Sequence, residues 1–201
     1  YFGIQADLVT YGKTLGGGYP VGVVCGKHKW MKRWKEKRPA DICFARGTFN
    51  AHPVVMSAMK AFLDEIEKPE IQALYEGLDE RWNQRCEKFN HTMREFDFPI
   101  QATNMSSVWT ISYTQPGRYH WLLQFYLRAE GLALSWVGTG RLIFSLNYGE
   151  TEFQAVLDRF VSAAKKMSED GWWWQNPQLT HRNIRLQILR ETLGWPEKTS
   201  D

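Results

Sequence analysis

The chain has 201 residues and a net charge of +3, and its composition, 43% hydrophobic and 23% charged, is ordinary for a globular protein. A chain of this length can bury a hydrophobic core, either as one large domain or as one and a half small domains. The slight charge does not by itself indicate a nucleic-acid or anionic-membrane partner, and no apolar run approaches the roughly 18 residues of a membrane-spanning helix.

The cysteines indicate the compartment in which the chain works. Cys25, Cys43 and Cys86 are odd in number and lack the Cys-x-x-Cys spacing of zinc sites, which argues against a disulfide framework and against a bound metal. We therefore expect a reducing, cytoplasmic location, and no signal peptide is visible. Because residue 1 is Tyr rather than Met, we also expect the chain to be a C-terminal piece of a longer protein.

The first part of the chain predicts a hairpin followed by a short basic helix. Residues 7–9 and 21–25 are apolar runs on either side of a glycine-rich turn, which favours two strands. Residues 27–38 are rich in lysine and arginine, and Trp30 and Trp34 lie one helical turn apart. We interpret this segment as a surface helix docked by its tryptophans; a patch for nucleic acid or an acidic partner is the alternative.

Two helices of different character are predicted in the middle of the chain. Pro53 suits the first turn of a helix, and apolar residues surround the segment up to Pro69, which predicts a buried helix. From Ile71 to Phe96 apolar residues recur at spacings of three and four. That pattern predicts one amphipathic helix of about seven turns, long enough to bridge two domains.

The remaining sequence predicts a small α+β unit and a helical tail. β-Branched and aromatic residues at 107–113 favour a strand. The other predicted elements are a helix at 119–130 ended by Gly131, strands at 132–136 and 141–147 around Gly138–Gly140, a helix from a Thr151–Gln154 capping box to Met167, and an apolar helix pattern at 184–193. We interpret Trp172–Trp174 as a hydrophobic clasp, with a partner contact as the alternative.

Lys13 stands in a glycine-rich run that is a candidate for chemistry, Gly12-Lys13-Thr14-Leu15-Gly16-Gly17-Gly18-Tyr19-Pro20-Val21-Gly22. A P-loop would need glycine at Asp7, and a dinucleotide fingerprint starting at Gly16 would need glycine at Val21, so both phosphate motifs fail. No acidic residue between Asp7 and Glu36 is available to pair with the lysine. Burial would favour its neutral amine, a nucleophile for carbonyl groups; the alternative is an ordinary surface lysine.

Two segments of the chain resemble a known enzyme family. The run from Asp7 to Gly22 closely resembles the cofactor-lysine segment of class III aminotransferases, fold-type I enzymes that depend on pyridoxal phosphate (PLP). Further along, Gly47-Thr48-Phe49-Asn50-Ala51-His52-Pro53 resembles the family's second cofactor segment, in the same order and at a matching spacing. Residues 138–167 look like the family's last strand and helix. The resemblance covers residues 1–168, and the glutamate-1-semialdehyde aminomutases are its nearest branch.

The resemblance implies roles for three residues. Lys13 would form a Schiff base with PLP and, once the substrate amine displaces it, would carry the proton between the substrate carbon and C4′ of the cofactor. Thr48 would give its hydroxyl and backbone N–H to the cofactor phosphate of the neighbouring subunit, with Gly47 permitting the close approach, which implies a homodimer. Independently of the resemblance, a threonine just before a helix start suits an anion; a plain helix cap is the alternative.

The resemblance also implies what this chain leaves to other segments. The family's N-terminal half supplies a first phosphate loop, the ring that stacks on PLP and the acid that pairs with the pyridine nitrogen, so we expect the isolated chain to bind PLP poorly and to be inactive. Arg141 is a weaker candidate, for pairing with a substrate carboxylate. His52 is more simply a structural or surface histidine.

We therefore predict an α/β chain that combines part of a fold-type I large domain with a small α+β domain. Residues 1–96 would hold the C-terminal part of the PLP-binding domain and the bridging helix, residues 97–170 the small domain, and residues 171–201 a helical tail of unknown role. The predicted function is PLP-dependent amino-group transfer by an aminotransferase or aminomutase, between an amine or amino acid and a carbonyl compound. No membrane or nucleic-acid partner is expected.

Two alternatives to that function stay open on the sequence alone. The same scaffold supports other PLP reactions, such as epimerisation or decarboxylation. A chain of a different class would be a catalytically silent remnant or an interaction module that uses the basic helix or the Trp172–Trp174 tail. Tight partner binding without a cofactor would distinguish that module from an enzyme.

Overall fold

The computed structural model divides into two compact units, Tyr1–Leu74 and Tyr75–Asp201. It describes residues 2–32, 37, 38, 40, 47–133, 140–174, 176 and 178–194. Trp34, Cys43 and the turn residues 138 and 139 therefore lie outside the described residues. Within the described ranges, no helix is both long enough and apolar enough to cross a membrane.

The first unit begins with a hairpin. Strands β1 (Leu8–Gly12) and β2 (Gly22–Gly26) pair antiparallel, with Gly12 opposite Gly22. They confirm the two strands predicted on either side of the glycine-rich turn, and the turn itself contains a 3-10 helix at Lys13–Gly16. The helices of this unit are α1 (His28–Met31), α2 (Pro53–Ile66) and α3 (Pro69–Ala73).

Two expectations of burial in the first unit are wrong. No residue of α2 is fully buried, and Val54 and Leu63 are 49% and 38% exposed. The described part of the unit covers one side of this helix, so apolar residues on its other side stay in contact with solvent. Trp30 is likewise exposed, with the Lys29 Nζ 4.8 Å from the centre of its ring, so it does not dock α1 onto the protein.

The single long helix predicted from Ile71 to Phe96 is divided in two by a turn. After α3, the chain turns through Gly77 before α4 (Leu78–Glu95) begins. Gly77 has a φ of 63°, in the left-handed region that a helix cannot continue through. The predicted apolar face of α4 is confirmed, because its buried residues are Trp82, Cys86, Phe89 and Met93.

The second unit contains a three-stranded antiparallel sheet. Its strands, in spatial order, are β3 (Ile100–Met105), β4 (Val108–Tyr113) and β5 (Arg141–Ile143). β4 confirms the strand predicted at 107–113. β3 is a strand that the sequence reading missed, because only Ile100 and Ala102 supply buried apolar side chains on it.

The strands predicted around Gly138 differ from those observed. β5 is shorter than the predicted 141–147, and residues 132 and 133 form no strand. The rest of the predicted strand at 132–136 lies outside the described residues. β5 pairs with β4 only from Val108 opposite Ile143 to Thr110 opposite Arg141, so the observed strand ends at Ile143.

Three further helices complete the second unit, α5 (Leu123–Ala129), α6 (Glu150–Glu169) and α7 (His181–Thr192). A 3-10 turn at His120–Leu122 precedes α5, so the helix predicted at 119–130 is confirmed in place. α6 begins one residue before the predicted start. Its first turn is capped by the Glu152 carboxylate, which accepts from the Gly149 N–H at 2.8 Å, and not by a Thr151–Gln154 box.

Aromatic side chains dominate the core of the second unit. The Trp82 ring stacks on Phe144 at a centroid distance of 4.6 Å, and the Trp109 ring meets Phe89 edge-on at 5.7 Å. Trp82, Phe89 and Trp109 are each 1% exposed. Full burial of one such side chain contributes about 1.5–3 kcal/mol, so α4 and the sheet are held together mainly by these contacts.

The tail beyond α6 joins this unit as a helix. The apolar pattern predicted there forms α7, whose Ile184 is buried. Of the predicted tryptophan clasp, Trp173 packs against the core, whereas Trp172 and Trp174 are 36% and 45% exposed.

The boundary between the two units falls at Leu74 and Tyr75, so α4, which we predicted to bridge from the large domain, packs within the second unit. The predicted division of the chain into 1–96, 97–170 and 171–201 stays a prediction.

Candidate active site

Lys13 occupies a strained position at the end of β1. Its φ is 53°, in the left-handed region, and it opens the 3-10 helix that leads out of the strand. A side chain with a Cβ pays roughly 1 kcal/mol or more for this conformation. Strain of this kind is typical of functional sites, where the surrounding structure holds a residue in a fixed direction.

The glycines after Lys13 let this turn pack closely. Gly16 is buried, and a Cβ on it would lie 2.9 Å from a side-chain carbon of Val21. Gly17 has a φ of 57°, and a Cβ there would lie 3.4 Å from the backbone oxygen of Ala58. The Lys13 turn therefore lies against α2, the helix that follows the second predicted cofactor segment.

The segment around Thr48 forms a tight turn before α2. The Asn50 N–H donates to the Gly47 oxygen at 3.1 Å, and a Cβ on Gly47 would lie 3.0 Å from the Asn50 side-chain oxygen. Glycine at 47 thus leaves room for the Asn50 amide over its Cα. Ala51 then has a φ of 54°, so this segment, like the Lys13 turn, holds a non-glycine residue in the left-handed region.

The cap position of α2 is held by His52, with Pro53 next to it. The His52 side chain accepts no hydrogen bond from the first turn of the helix. Free N–H groups at a helix start attract anions through their partial positive charge. Thr48 is therefore a turn residue upstream of the helix and not its cap, which makes the plain-cap alternative wrong.

A cleft of about 480 Å³ lies between the two segments. It is lined by the later residues of each motif and by two residues of α2: Tyr19, Pro20, Val21, Gly22, Phe49, Asn50, Ala51, His52, Val55 and Met56. The volume is within the range of small-molecule sites. Lys13, Gly47 and Thr48 themselves do not line this cleft, although the two motifs to which they belong both border it.

The side chain of Lys13 is exposed. The burial that we expected to favour its neutral amine is therefore not supplied by the described residues of this chain. An exposed amine remains accessible to a carbonyl compound, and its nucleophilicity would have to come from groups that approach it when the site is complete.

Several lining residues were missed by the sequence reading. Tyr19 and Phe49 were quoted only as parts of motifs, and their exposed rings now border the cleft. His52 also lines it, with its ring 6.4 Å from that of Phe49. A signal was present in the sequence, since each aromatic residue directly follows a glycine or threonine of a motif.

Arg141, the weaker candidate, lies in the second unit at the start of β5. It borders a separate cleft of about 580 Å³ together with Glu152 and Arg159. Its predicted role with a substrate carboxylate stays a prediction. Among the described residues, no cluster of three or more His, Cys, Asp or Glu side chains is placed to hold a metal ion.

Comparison with known proteins identifies the family. The model of the family described as "Aminotransferase class-III" matches residues 1–163. The chain belongs to the class-III aminotransferase family. The resemblance found in the Lys13 and Thr48 segments is thereby confirmed.

Curated relatives of this class-III chain include glutamate-1-semialdehyde 2,1-aminomutases. That of Ignicoccus hospitalis is 49% identical over 67 residues, which is 33% of this chain and 15% of the relative. That of Nitratidesulfovibrio vulgaris strain DP4 is 26% identical over 179 residues, covering 83% of this chain and 40% of the relative. The chain thus spans well under half the length of the relatives it matches.

Solved structures of transaminases share the fold. An omega-transaminase from Sphaerobacter thermophilus superimposes with a TM-score of 0.67 at 25% identity, over 81% of this chain and 39% of that one. The β-phenylalanine aminotransferase of Variovorax paradoxus gives a TM-score of 0.63 at 26% identity, over 84% and 40%. A transaminase with PLP bound has the same fold, at a TM-score of 0.68. The predicted fold-type I transferase class is confirmed.

Proposed function

We propose that the protein containing this chain is a PLP-dependent enzyme that transfers an amino group between an amine or amino acid and a carbonyl compound, with Lys13 as the attachment point of the cofactor. The observation that carries the proposal is the strained Lys13 turn packed against α2 in a class-III aminotransferase chain. The two segments that resemble cofactor motifs thus lie in the same unit, which supports the proposal.

The residues of this chain fit the cofactor. An exposed primary amine at Lys13 suits the PLP aldehyde, and the uncapped N-terminus of α2 with Thr48 just upstream suits the PLP phosphate. When bound, PLP supplies a carbonyl group that exchanges amines and a ring that withdraws electrons from the substrate carbon. The lining of the described cleft contains no acidic side chain, and we propose that the partner of the ring nitrogen comes from another segment.

Lys13 has two tasks in this proposal. Its Nζ would hold the cofactor until the incoming substrate amine replaces it. The freed Nζ would then take a proton from the substrate carbon as a general base and give it, as a general acid, to the cofactor carbon that had carried the lysine. The left-handed backbone at Lys13 fixes the direction of the side chain for both tasks.

Thr48 is the proposed phosphate contact, through its hydroxyl and backbone N–H. It is exposed, and the Asn50 amide fills the space beside the Gly47 Cα before it. The resemblance of residues 47–53 to the family's second cofactor segment supports Thr48 serving the site of a second subunit. We therefore propose a homodimer in which each chain completes the site of the other.

The location and the type of reaction are also proposals. Cys25 is an exposed free thiol and Cys86 a buried one, which supports a reducing, cytoplasmic location. The aminomutase relatives support an intramolecular transfer, and the transaminase structures support a transfer between two molecules. Epimerisation and decarboxylation on the same scaffold would be distinguished by analysing the products formed from candidate amines.

Replacement of Lys13 tests the proposal in the protein that contains residues 1–201. Incubated with PLP, the wild-type protein should absorb at about 420 nm, and borohydride should fix the cofactor mass on the peptide that contains Lys13. Lys13→Ala should lose both signals, whereas Lys60→Ala, which removes an exposed lysine paired with Asp64 on α2, should keep them.

A wild-type protein without either signal would overturn the proposal, as would a Lys13→Ala variant that retains them. Salt-dependent binding of nucleic acid or a protein partner by a protein that takes up no PLP would instead support the interaction module.

A further inference from the structure

A buried histidine lies where the tail meets the rest of the second unit. His120 is 7% exposed. The centre of its ring lies 4.2 Å from that of Tyr113 on β4 and 5.5 Å from that of Trp173 in the tail. The Tyr113 hydroxyl also donates to the backbone oxygen of His120 at 3.0 Å. The imidazole is therefore packed between the sheet and the tail.

The backbone of Gly117 lies directly against the His120 ring. A Cβ on Gly117 would lie 2.0 Å from the imidazole Nε2, which is far inside contact distance. Glycine at 117 is thus required for the ring to occupy this place. The imidazole is thus held closely between this turn and Trp173.

Other contacts hold the tail at the same place. Trp173 donates from Nε1 to the Ala164 oxygen at 3.0 Å, and its own backbone oxygen accepts from Gln115 Nε2 at 3.1 Å. Arg118 binds Glu191 of α7 through both guanidinium nitrogens, one of them at 2.6 Å. We call the group formed by Tyr113, Gln115, His120 and Trp173 the tail clasp. The tail, residues 171–194, follows the residues that the family model matches.

The charges that face His120 offer nothing to stabilise an imidazolium ion. Tyr113 from β4 is neutral, because burial raises its pKa to about 12. His181 from α7 adds a repulsive positive charge when protonated, and Arg118 and Glu191 already neutralise each other. Within the described chain, no hydrogen-bond acceptor contacts either ring nitrogen of His120. Burial, and secondarily His181, therefore lower the pKa of His120 to about 4.

We propose that the tail clasp is a pH-sensitive latch: neutral His120 holds the tail on the second unit, and protonation of His120 releases it. In the released state the imidazole is exposed and has its ordinary pKa of 6.5. Because His120 binds a proton more readily in the released state than in the clasp, a fall in pH below that value favours release. With a clasped pKa of about 4, the ratio of released to clasped tail rises by about 20-fold between pH 7 and pH 5.

Hydrogen exchange measured by mass spectrometry tests the latch in the full protein, with rates corrected for the intrinsic effect of pH. Amides of α7 should open about 20-fold more often at pH 5 than at pH 7, while amides of α4 in the core keep the same protection. In His120→Phe, which keeps an aromatic ring but no titrating group, this increase should vanish.

Two matched variants separate His120 from its charged neighbours. His181→Gln should keep most of the increase, because His181 only adds to the effect of burial. Glu191→Gln should also keep it, because binding to Arg118 lowers the pKa of Glu191 below 4.5 and leaves the carboxylate charged at pH 5. A His120→Phe variant that retains the wild-type pH dependence would overturn the proposal, as would a wild-type tail that stays equally protected at both pH values.

A direct titration keeps the proposal testable if His120→Phe does not fold. The imidazole proton resonances of His120 in the wild-type protein should change over the same pH interval as tail protection. Titration near pH 6.5 with the tail still protected would contradict the latch. None of these outcomes depends on PLP, so they are separate from the test of the proposed function.

Discussion

At the scale of single residues, backbone strain distinguishes the candidate site. The non-glycine residues with positive φ in the described chain are Lys13, Ala51, Asp97 and Ser106. Two of them lie in the two segments that resemble cofactor motifs. Aspartate tolerates this conformation comparatively well, whereas lysine and alanine gain nothing locally from it. Their strain is therefore compensated by packing around the candidate site.

Replacement of Ala51 by glycine should stabilise the first unit. Ala51 has a φ of 54°, which glycine adopts without the steric cost of a Cβ. Part of the gain is offset because glycine has more freedom in the unfolded chain, so we expect about 0–1 kcal/mol of added stability in urea denaturation. Ala61→Gly, in the exposed interior of α2, is the control and should cost about 1 kcal/mol. Equal losses in both variants would show that Ala51 is not strained.

At the scale of elements, one side chain of α4 completes the edge of the sheet. β3 is an edge strand, and the backbone of Ala102 on it has no neighbouring strand on its outer side. The Asn90 side chain accepts from the Ala102 N–H at 2.7 Å and donates to the Ala102 oxygen at 2.9 Å. The amide thus replaces a missing strand at this position and fixes how α4 sits against β3.

Asn90→Ala should therefore destabilise the second unit more than an ordinary surface change. It leaves the Ala102 N–H without a partner and the Ala102 C=O with only the weak Cys86 Sγ donor at 3.5 Å, at a cost of about 1–3 kcal/mol. Asn83→Ala is a matched control on the same helix, because it removes only an exposed hydrogen bond with Asn104 and should cost about 0.5 kcal/mol or less. Circular dichroism during urea unfolding measures both, and similar midpoints for the two variants would refute this role for Asn90.

At the scale of the whole molecule, the second unit is connected by exposed ion pairs between elements that are distant in sequence. Lys88 of α4 donates to Glu150 of α6 at 2.9 Å, Lys166 binds Glu130, and Arg118 binds Glu191. In each pair the hydrogen bond from the cation lowers the pKa of the carboxyl group below 4.5. These carboxylates bind protons less readily in the folded chain than in the unfolded one.

Acid should therefore weaken the second unit. A lowered carboxyl pKa contributes stability that is present above the unfolded value and is lost as pH falls through the folded value. We expect the urea midpoint to fall as pH is lowered from 5 toward 3, beyond the change that His120 causes at higher pH. Because the pairs are exposed, 1 M salt should flatten this dependence. A midpoint that is constant or rises over that interval would contradict the expectation.

The local sequence determined the family, the two segments that resemble cofactor motifs, the hairpin around Lys13 and the apolar face of α4. These features depend on short-range spacing, and a glycine-rich turn or an apolar stripe is visible without knowledge of the fold. Gly77, the residue at which the predicted long helix is divided, is visible in the sequence as a glycine. Whether a glycine ends a helix depends on whether the surrounding packing stabilises a continuous one.

Only the tertiary structure decided which groups are buried and which meet. It placed Lys13 in solvent, enclosed His120 between Tyr113 and Trp173, and set Asn90 on the edge of β3, all through contacts between residues distant in sequence. The burial and the hydrogen bonds of a residue depend on which distant parts of the chain pack against it. The residues next to it in the sequence therefore carry little information about either property. For the same reason the roles of Lys13 and Thr48 are proposed on motif and geometry together, and not on either alone.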